Sequence, residues 1–114
     1  MTTTTNTTTN IEHYAGSTRF EIELEFVQML ANPMYLNFLA DRKFFDNANF
    51  IAYLAYLQYF REPTYLKYLQ YPGPTLRALE LLQEDRFRKD IINPMLAEAM
   101  MREGFEAATK GLTK

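Results

Sequence analysis

The chain has 114 residues, a hydrophobic fraction of 47% and a formal net charge of −2, which is enough for one domain with a hydrophobic core. Proteins that bind DNA or RNA on their own usually carry a basic face, so the near balance of charges argues against direct nucleic-acid binding. The absence of cysteine excludes disulfides, thiolate catalysis and cysteine-bound zinc.

Both ends of the chain are predicted to lie outside the folded domain, which spans 17–103. Residues 1–16 begin with Thr and Asn and lack apolar periodicity, so burial cannot offset the entropy of ordering, and we expect a disordered tail. Residues 104–114 are expected to fray. The start lacks the features of a secretory signal, and no apolar run approaches the roughly 20 residues of a membrane span. We therefore expect a cytosolic or nuclear protein without a membrane partner.

The first structured segment allows two interpretations. Thr18 and Glu21 have the spacing of a capping box, which predicts the start of a helix. The residues that follow alternate between apolar side chains and glutamate, as in a strand. Glutamate is unfavourable in strands, and no second strand is evident for pairing, so we predict a helix.

Asn, Pro and Gly residues delimit the remaining helices. Asn32-Pro33 and Asn93-Pro94 predict helix starts, with helices at 33–42 and 94–103. Further helices are predicted at 48–61, capped by Asp46 or Asn47, at 63–70 before a stop at 71–74, and at 75–83, where a continuation to 92 stays open. The short connections predict an all-α fold, a compact single-domain bundle of four to six helices.

A tyrosine-rich heptapeptide occurs twice, at 53–59 and at 65–71. On a helix, the first copy spreads apolar character over well over half of the circumference, whereas a surface helix needs a stripe of only about 100°. The tyrosines are therefore core residues whose hydroxyls reach solvent, or a docking surface for a proline-rich extended segment, and both can hold for different tyrosines. The candidate partner-binding residues are Tyr53, Tyr56, Tyr59, Tyr65, Tyr68 and Tyr71, with Tyr35 and Phe38 next.

Residues that could support catalysis or metal binding are sparse. His13 is the only histidine and lies in the predicted tail, and Ser17 is the only serine. The glutamates at 21–25 point in different directions on a helix and are expected to be solvated, as is the basic run at 86–89. We predict no catalytic residue, no metal site and no cofactor.

Seven short stretches follow one another in the order of one known family. They are Glu-Leu-Glu-Phe-Val-Gln at 23–28, Leu-Ala-Asn-Pro at 30–33, Tyr-Leu-Asn-Phe-Leu-Ala at 35–40, Arg-Glu-Pro at 61–63, which joins the two copies of the tyrosine-rich repeat, Tyr-Pro at 71–72, Leu-Glu-Leu-Leu-Gln at 79–83 and Phe-Arg-Lys at 87–89. With them, the chain resembles the family of Mediator complex subunit 31 over about 19–94. Residues 73–75 depart from the family pattern, so the resemblance does not define the start of the fifth helix.

This resemblance implies a helical bundle in the middle module of Mediator, a nuclear coactivator of RNA polymerase II transcription. It implies binding to other Mediator subunits, above all to the N-terminal, proline-rich segment of subunit 7, an indirect link to the polymerase machinery, and no enzymatic activity. The alternative from the residues alone is a free-standing helical adaptor that binds short proline-rich peptides. Recovery of Mediator subunits in a pull-down distinguishes the two.

Overall fold

The first helix begins where the capping pattern predicts it. The computed structural model describes residues 13–14 and 17–110, and helix α1 spans Arg19–Met29. The backbone N–H of Glu21 donates to Oγ1 of Thr18 at 3.1 Å, and the N–H of Thr18 donates to Oε1 of Glu21 at 3.0 Å. This reciprocal pair satisfies N–H groups that the first helical turn leaves without intrahelical partners. The prediction of a helix rather than a strand is confirmed.

Two helices begin with the same motif, an Asn N-cap followed by Pro at the first helical position. Helix α2 spans Pro33–Asp41, and a later helix, α7, spans Pro94–Glu103. The side chains of Asn32 and Asn93 each accept a hydrogen bond from the backbone N–H two residues later, at 2.9 Å in both cases. Proline fits the first helical position because its missing N–H is not needed there. Both predicted starts are confirmed, and these two helices pack against each other.

The segment predicted as one α-helix at 48–61 consists of two elements. Helix α3 spans Ala48–Tyr56, and a 3₁₀-helix over Leu57–Arg61 continues it. Residues advance by about 120° in a 3₁₀-helix rather than about 100°, so residues three apart share one side. The first and fourth residues of the 3₁₀-helix are accordingly both fully buried. The continuous α-helix was a wrong prediction, and the change of pitch reorients Tyr59.

The fourth helix is shorter than predicted. Helix α4 covers only Pro63–Leu66, where the sequence predicts a helix over 63–70. The chain then continues as turns, and the backbone N–H of Gln70 donates to Oε1 of Gln28 at 2.9 Å. The side chain of Gln28, on α1, thus accepts the hydrogen bond that the N–H of Gln70 would otherwise donate within a longer α4.

The Pro-Gly-Pro segment starts a helix as well as ending one. Helix α5 spans Pro72–Leu81, three residues earlier than predicted, because prolines in the first turn replace N–H groups that have no intrahelical partner. Helix α6 spans Asp85–Asp90 after a turn, so the helix does not run on to 92. The fifth and sixth helices are therefore separate elements.

The two ends of the domain carry small elements. Backbone strands β1, His13–Tyr14, and β2, Ser17–Thr18, pair antiparallel. Gly104, with φ of 96°, ends α7, and helix α8 follows at Phe105–Ala108, with Phe105 buried. The predicted tail falls mostly outside the described residues. Disorder of that tail and fraying from 104 onward stay predictions, and the described part of the second segment contains α8 followed by a turn at 109–110.

The core joins residues from every long helix, and the predicted all-α bundle is confirmed. Six described helices have six or more residues, as expected for a bundle of four to six helices. No helix in the described part of the chain is long and apolar enough to span a membrane. The largest fully buried side chains are Phe60, Phe87, Leu30, Leu36, Leu39, Leu54, Leu57, Leu79, Leu81, Leu82, Ile91 and Met100.

Candidate partner-binding surface

Nine aromatic side chains form a continuous row, which we call the aromatic row. Each ring contacts the next, with centroids 4.9 to 6.3 Å apart. Contacts at this spacing are favourable for aromatic pairs in tilted, edge-on or offset-stacked arrangements. In spatial order, the row is Phe38, Tyr35, Phe26, Tyr53, Tyr56, Tyr59, Tyr65, Phe20 and Tyr68.

The rings of the aromatic row come from separate parts of the chain. Helix α1 supplies two of them, α2 two and α3 two, and the 3₁₀-helix, α4 and the following turn supply one each. None of the nine side chains is fully buried, and four are exposed: Phe38, Tyr56, Tyr65 and Tyr68. The row is therefore half core and half surface, with large aromatic areas left in contact with water.

A buried carboxylate lies beside the middle of the row. Glu23, in the centre of α1, is only 5% exposed. Its Oε1 accepts hydrogen bonds from the hydroxyls of Tyr59, at 2.7 Å, and Tyr56, at 3.1 Å. The expectation that all three glutamates at 21–25 are solvated is wrong for this one. The 3₁₀ pitch and the packing of α3 against α1 bring the two tyrosines over it.

Burial and the carboxylate change the acidity of two tyrosines. Burial raises the pKa of Tyr59 well above its ordinary value, and its hydrogen bond to Glu23 raises it further. Burial, followed by the charge of Glu23, also raises the pKa of Tyr53. The hydroxyl of Tyr59 therefore stays protonated at neutral pH, as its donation to the carboxylate of Glu23 requires.

An open groove lies next to Glu23. It has a volume of about 370 Å³ and is lined by charged and aromatic side chains from α1, α3, the 3₁₀-helix and α4. Such a volume is at the lower end of the range for small-molecule sites, and it accommodates a single long side chain. The lining residues are Arg19, Phe20, Glu23, Tyr56, Tyr59 and Tyr65.

The structure brings seven of the eight predicted partner-binding residues into the aromatic row. Only Tyr71 lies outside it; this side chain is 63% exposed and precedes α5. Sequence reasoning missed Phe20 and Phe26, which link the two tyrosine copies and α2, as well as Glu23. The alternation at 20–26 was visible, but it gave no sign of which of its residues face the tyrosines. Partner binding by the eight residues stays a prediction.

Several cations elsewhere on the surface interact with other residues of the chain. The guanidinium of Arg42 lies 5.0 Å from the ring centroid of Phe38, at one end of the aromatic row. In the basic run, Arg86 pairs with Asp90 at 3.5 Å and Lys89 with Asp85 at 3.0 Å. The run therefore forms intrahelical ion pairs, as solvated helix faces commonly do. Among the described residues, no group of three or more His, Asp or Glu side chains is placed to hold a metal.

Comparison with known proteins gives consistent matches. The family model Med31 (SOH1) matches residues 17–111. The chain is 66% identical over 91 residues to Mediator of RNA polymerase II transcription subunit 31 of Phaeosphaeria nodorum, covering 80% of this chain and 79% of that protein. It is 63% identical over 94 residues to the protein of that name from Neurospora crassa, covering 82% and 70%. The corresponding protein of Schizosaccharomyces pombe is 50% identical over 95 residues, covering 82% and 68%.

Proposed function

The chain belongs to the Med31 (SOH1) family, and from that premise we propose that it is a non-enzymatic structural subunit of the Mediator complex. In that role it acts in the nucleus as a coactivator of RNA polymerase II transcription, through contacts with other Mediator subunits. We place it in the middle module, where its principal partner is the proline-rich N-terminal segment of subunit 7.

The aromatic row is the observation that supports this mode of binding. Proline-rich segments adopt an extended, pre-organised helix, so they lose little conformational entropy when they bind. Flat aromatic faces accept proline rings, and tyrosine hydroxyls donate to the free carbonyls of such a segment. The row offers four exposed rings along one path, Phe38, Tyr56, Tyr65 and Tyr68, on which successive turns of an extended segment can rest.

The spread of the rings over several helices favours a permanent complex over transient binding of short peptides. A segment that follows the row from Phe38 to Tyr68 crosses α1, α2, α3 and α4. Permanent complexes commonly bury more than about 2,000 Å², whereas short-peptide readers use one compact groove. We therefore expect the partner to wrap the bundle, with the chain and its partner stable together.

A tagged pull-down from nuclear extract tests this function. The wild-type chain is compared with the double variant Phe38→Ala/Tyr68→Ala at the two ends of the row. Met95→Ala, which removes a 72% exposed apolar side chain outside the row, is the matched control. We expect the wild type and the control to recover Mediator subunits in fixed proportion, and the double variant to lose subunit 7. Recovery of scattered proline-rich proteins without Mediator would instead support the free-standing adaptor.

A further inference from the structure

We infer that the groove beside Glu23 binds a basic side chain, Lys or Arg, of the partner segment, which sits between the carboxylate and the surrounding aromatic faces. The inference rests on the proposed function in one respect, since the extended partner delivers the cation. It adds a charged anchor to a surface that otherwise offers aromatic contacts.

The first observation is a buried charge that has no counter-ion among the described residues. Both tyrosine hydroxyls that bind Glu23 converge on Oε1, and no hydrogen bond from the described residues reaches Oε2. None of the ion pairs between described residues involves Glu23, although it is 5% exposed. Buried charges are normally paired, because removing an ion from water is costly. The carboxylate is thus poised for a partner that the described part of the chain does not provide.

Two exposed acidic groups contrast with Glu23. Asp85 and Glu106 are largely exposed, where water already solvates them, yet each lies within 4.0 Å of a basic side chain of the chain itself. Exposed ion pairs of this kind contribute little stability. Glu23 is the one strongly buried carboxylate among the described residues, and none of the ion pairs between those residues involves it.

The second observation is the aromatic wall around the carboxylate. The rings of Phe20 and Tyr65 lie with their centroids 5.8 Å apart, and those of Tyr56 and Tyr59 lie 5.4 Å apart, on the lining of the same groove. A cation over an aromatic face is attracted by the ring quadrupole, more strongly where water is excluded. The aliphatic stem of a Lys or Arg side chain packs along such rings, and the charged group at its tip can reach the carboxylate.

A neutral occupant matches the groove less well. A proline ring over the same faces would exclude water from Glu23 without supplying a positive charge, which raises the cost of burial. Arg19, four residues before Glu23 and also on the lining, is the competing cation from within the chain. It is exposed, it makes an interaction of its own, and none of the ion pairs between described residues joins it to Glu23.

The test uses the isotope-labelled full chain and two synthetic peptides in NMR titrations. The peptides are acetylated and amidated, with four prolines on each side of one central residue, which is lysine in one and norleucine in the other. Norleucine keeps most of the aliphatic stem and removes the charge. We expect the lysine peptide to bind about tenfold more tightly than the norleucine peptide at low salt. Shifts should centre on Phe20, Tyr56 and Tyr65, and the advantage should shrink as salt is added.

The variant Glu23→Gln identifies the source of that preference. Glutamine keeps an oxygen that accepts the tyrosine hydroxyls, so the fold is retained, which thermal melting checks. We expect the lysine advantage to fall below twofold in this variant, with norleucine binding unchanged. Arg19→Gln removes a competing positive charge from the lining, so the lysine advantage should be retained or increased in this variant. A lysine preference that appears only in Arg19→Gln would mean that Arg19 fills the site, and it would overturn the inference.

A titration with n-butylammonium, against n-butanol as control, separates this inference from the proposed function. Equal binding of the two peptides overturns the cationic anchor and leaves proline-rich docking standing. If neither peptide binds while butylammonium alone shifts the groove residues, the cation site stands and proline-rich docking fails. Absence of all binding overturns both.

Discussion

The hydroxyl of Tyr59 donates to Oε1 of Glu23 at 2.7 Å and so joins the 3₁₀-helix to the middle of α1, across 36 positions of the chain. Few contacts in the bundle combine such sequence separation with a charged acceptor. The bond aligns the ring of Tyr59 between Phe60 and Tyr65, at centroid distances of 4.5 and 4.9 Å. It therefore both stabilises the bundle and positions the centre of the aromatic row.

Removal of the carboxylate should destabilise the fold. Glu23→Ala takes away the shared acceptor of two hydroxyls, and we expect a loss of about 1–3 kcal/mol in the free energy of unfolding. Urea unfolding followed by circular dichroism measures it. Glu25→Ala, on an exposed position of the same helix, should stay within about 0.5 kcal/mol of the wild type. Equal losses in the two variants would mean that the network at Glu23 contributes nothing.

The two hydroxyls on this carboxylate should differ in their contribution. Tyr59→Phe removes the shorter bond at the less exposed ring, and we expect a loss of about 1.5–3 kcal/mol, typical of hydrogen bonds to charged groups. Tyr56→Phe removes a 3.1 Å bond from a side chain that is 51% exposed, and we expect less than about 1 kcal/mol, because water replaces the donor. Urea unfolding of both variants checks the order; the reverse order contradicts it.

Stability should decline at alkaline pH because the pKa of the half-buried Tyr59 is raised in the folded chain. The pKa of Tyr59 is higher in the folded chain than in the unfolded chain, where it is about 10. The folded state therefore keeps a proton that the unfolded state loses, so this contribution is complete below about pH 10 and is lost as pH rises above that value. Urea unfolding between pH 8 and 11.5 should show a steeper decline for the wild type than for Tyr59→Phe. Parallel profiles would contradict the shift.

A single amide connects α2 to the end of α6. Nδ2 of Asn37 donates to the backbone carbonyls of Ile91, at 3.0 Å, and Ile92, at 3.1 Å, the two residues that directly follow that helix. We expect Asn37→Ala to cost about 1–3 kcal/mol. The exposed Asn49 is the control, and its alanine variant should change the free energy of unfolding by less than about 0.5 kcal/mol. Thermal or urea unfolding gives both values.

Two exposed tyrosines of the second copy test whether partner binding depends on membership of the aromatic row or only on an exposed tyrosine. Tyr68 is 51% exposed and contacts the ring of Phe20, whereas Tyr71 is 63% exposed and lies outside the row. We expect Tyr68→Ala to reduce co-purification of the partner several-fold and Tyr71→Ala to leave it nearly unchanged. Quantitative mass spectrometry of the pull-downs measures this. The opposite order would move the binding surface towards α5.

The helix starts were predictable because their causes are local. Thr18 and Glu21 satisfy each other within one turn, and Asn32 and Asn93 cap the helices that immediately follow them. The start of the Pro72–Leu81 helix also has a local cause, although it was predicted three residues later. A proline-rich segment ends one helix and can begin another.

The arrangement of the aromatic row was not predictable, because it depends on pitch and on distant partners. A change from α to 3₁₀ geometry after Tyr56 shifts every later residue around the axis, and no local residue signals it. Periodicity places Tyr59 opposite the core and Glu23 in water. Packing of α1 against the 3₁₀-helix brings both into one buried contact. Sequence reasoning therefore identified most of the aromatic residues but not the carboxylate that organises them.

Because the rings of the aromatic row come from four helices and two connecting segments, the surface exists only while the bundle is folded. A partner that lies along it binds the native chain and has nothing equivalent to bind in the unfolded chain. Mass action then couples the abundance of the two proteins: partner at 100 times its dissociation constant adds about 2.7 kcal/mol to the stability of the chain. The cellular lifetime of this small bundle should accordingly rise and fall with the supply of its partner.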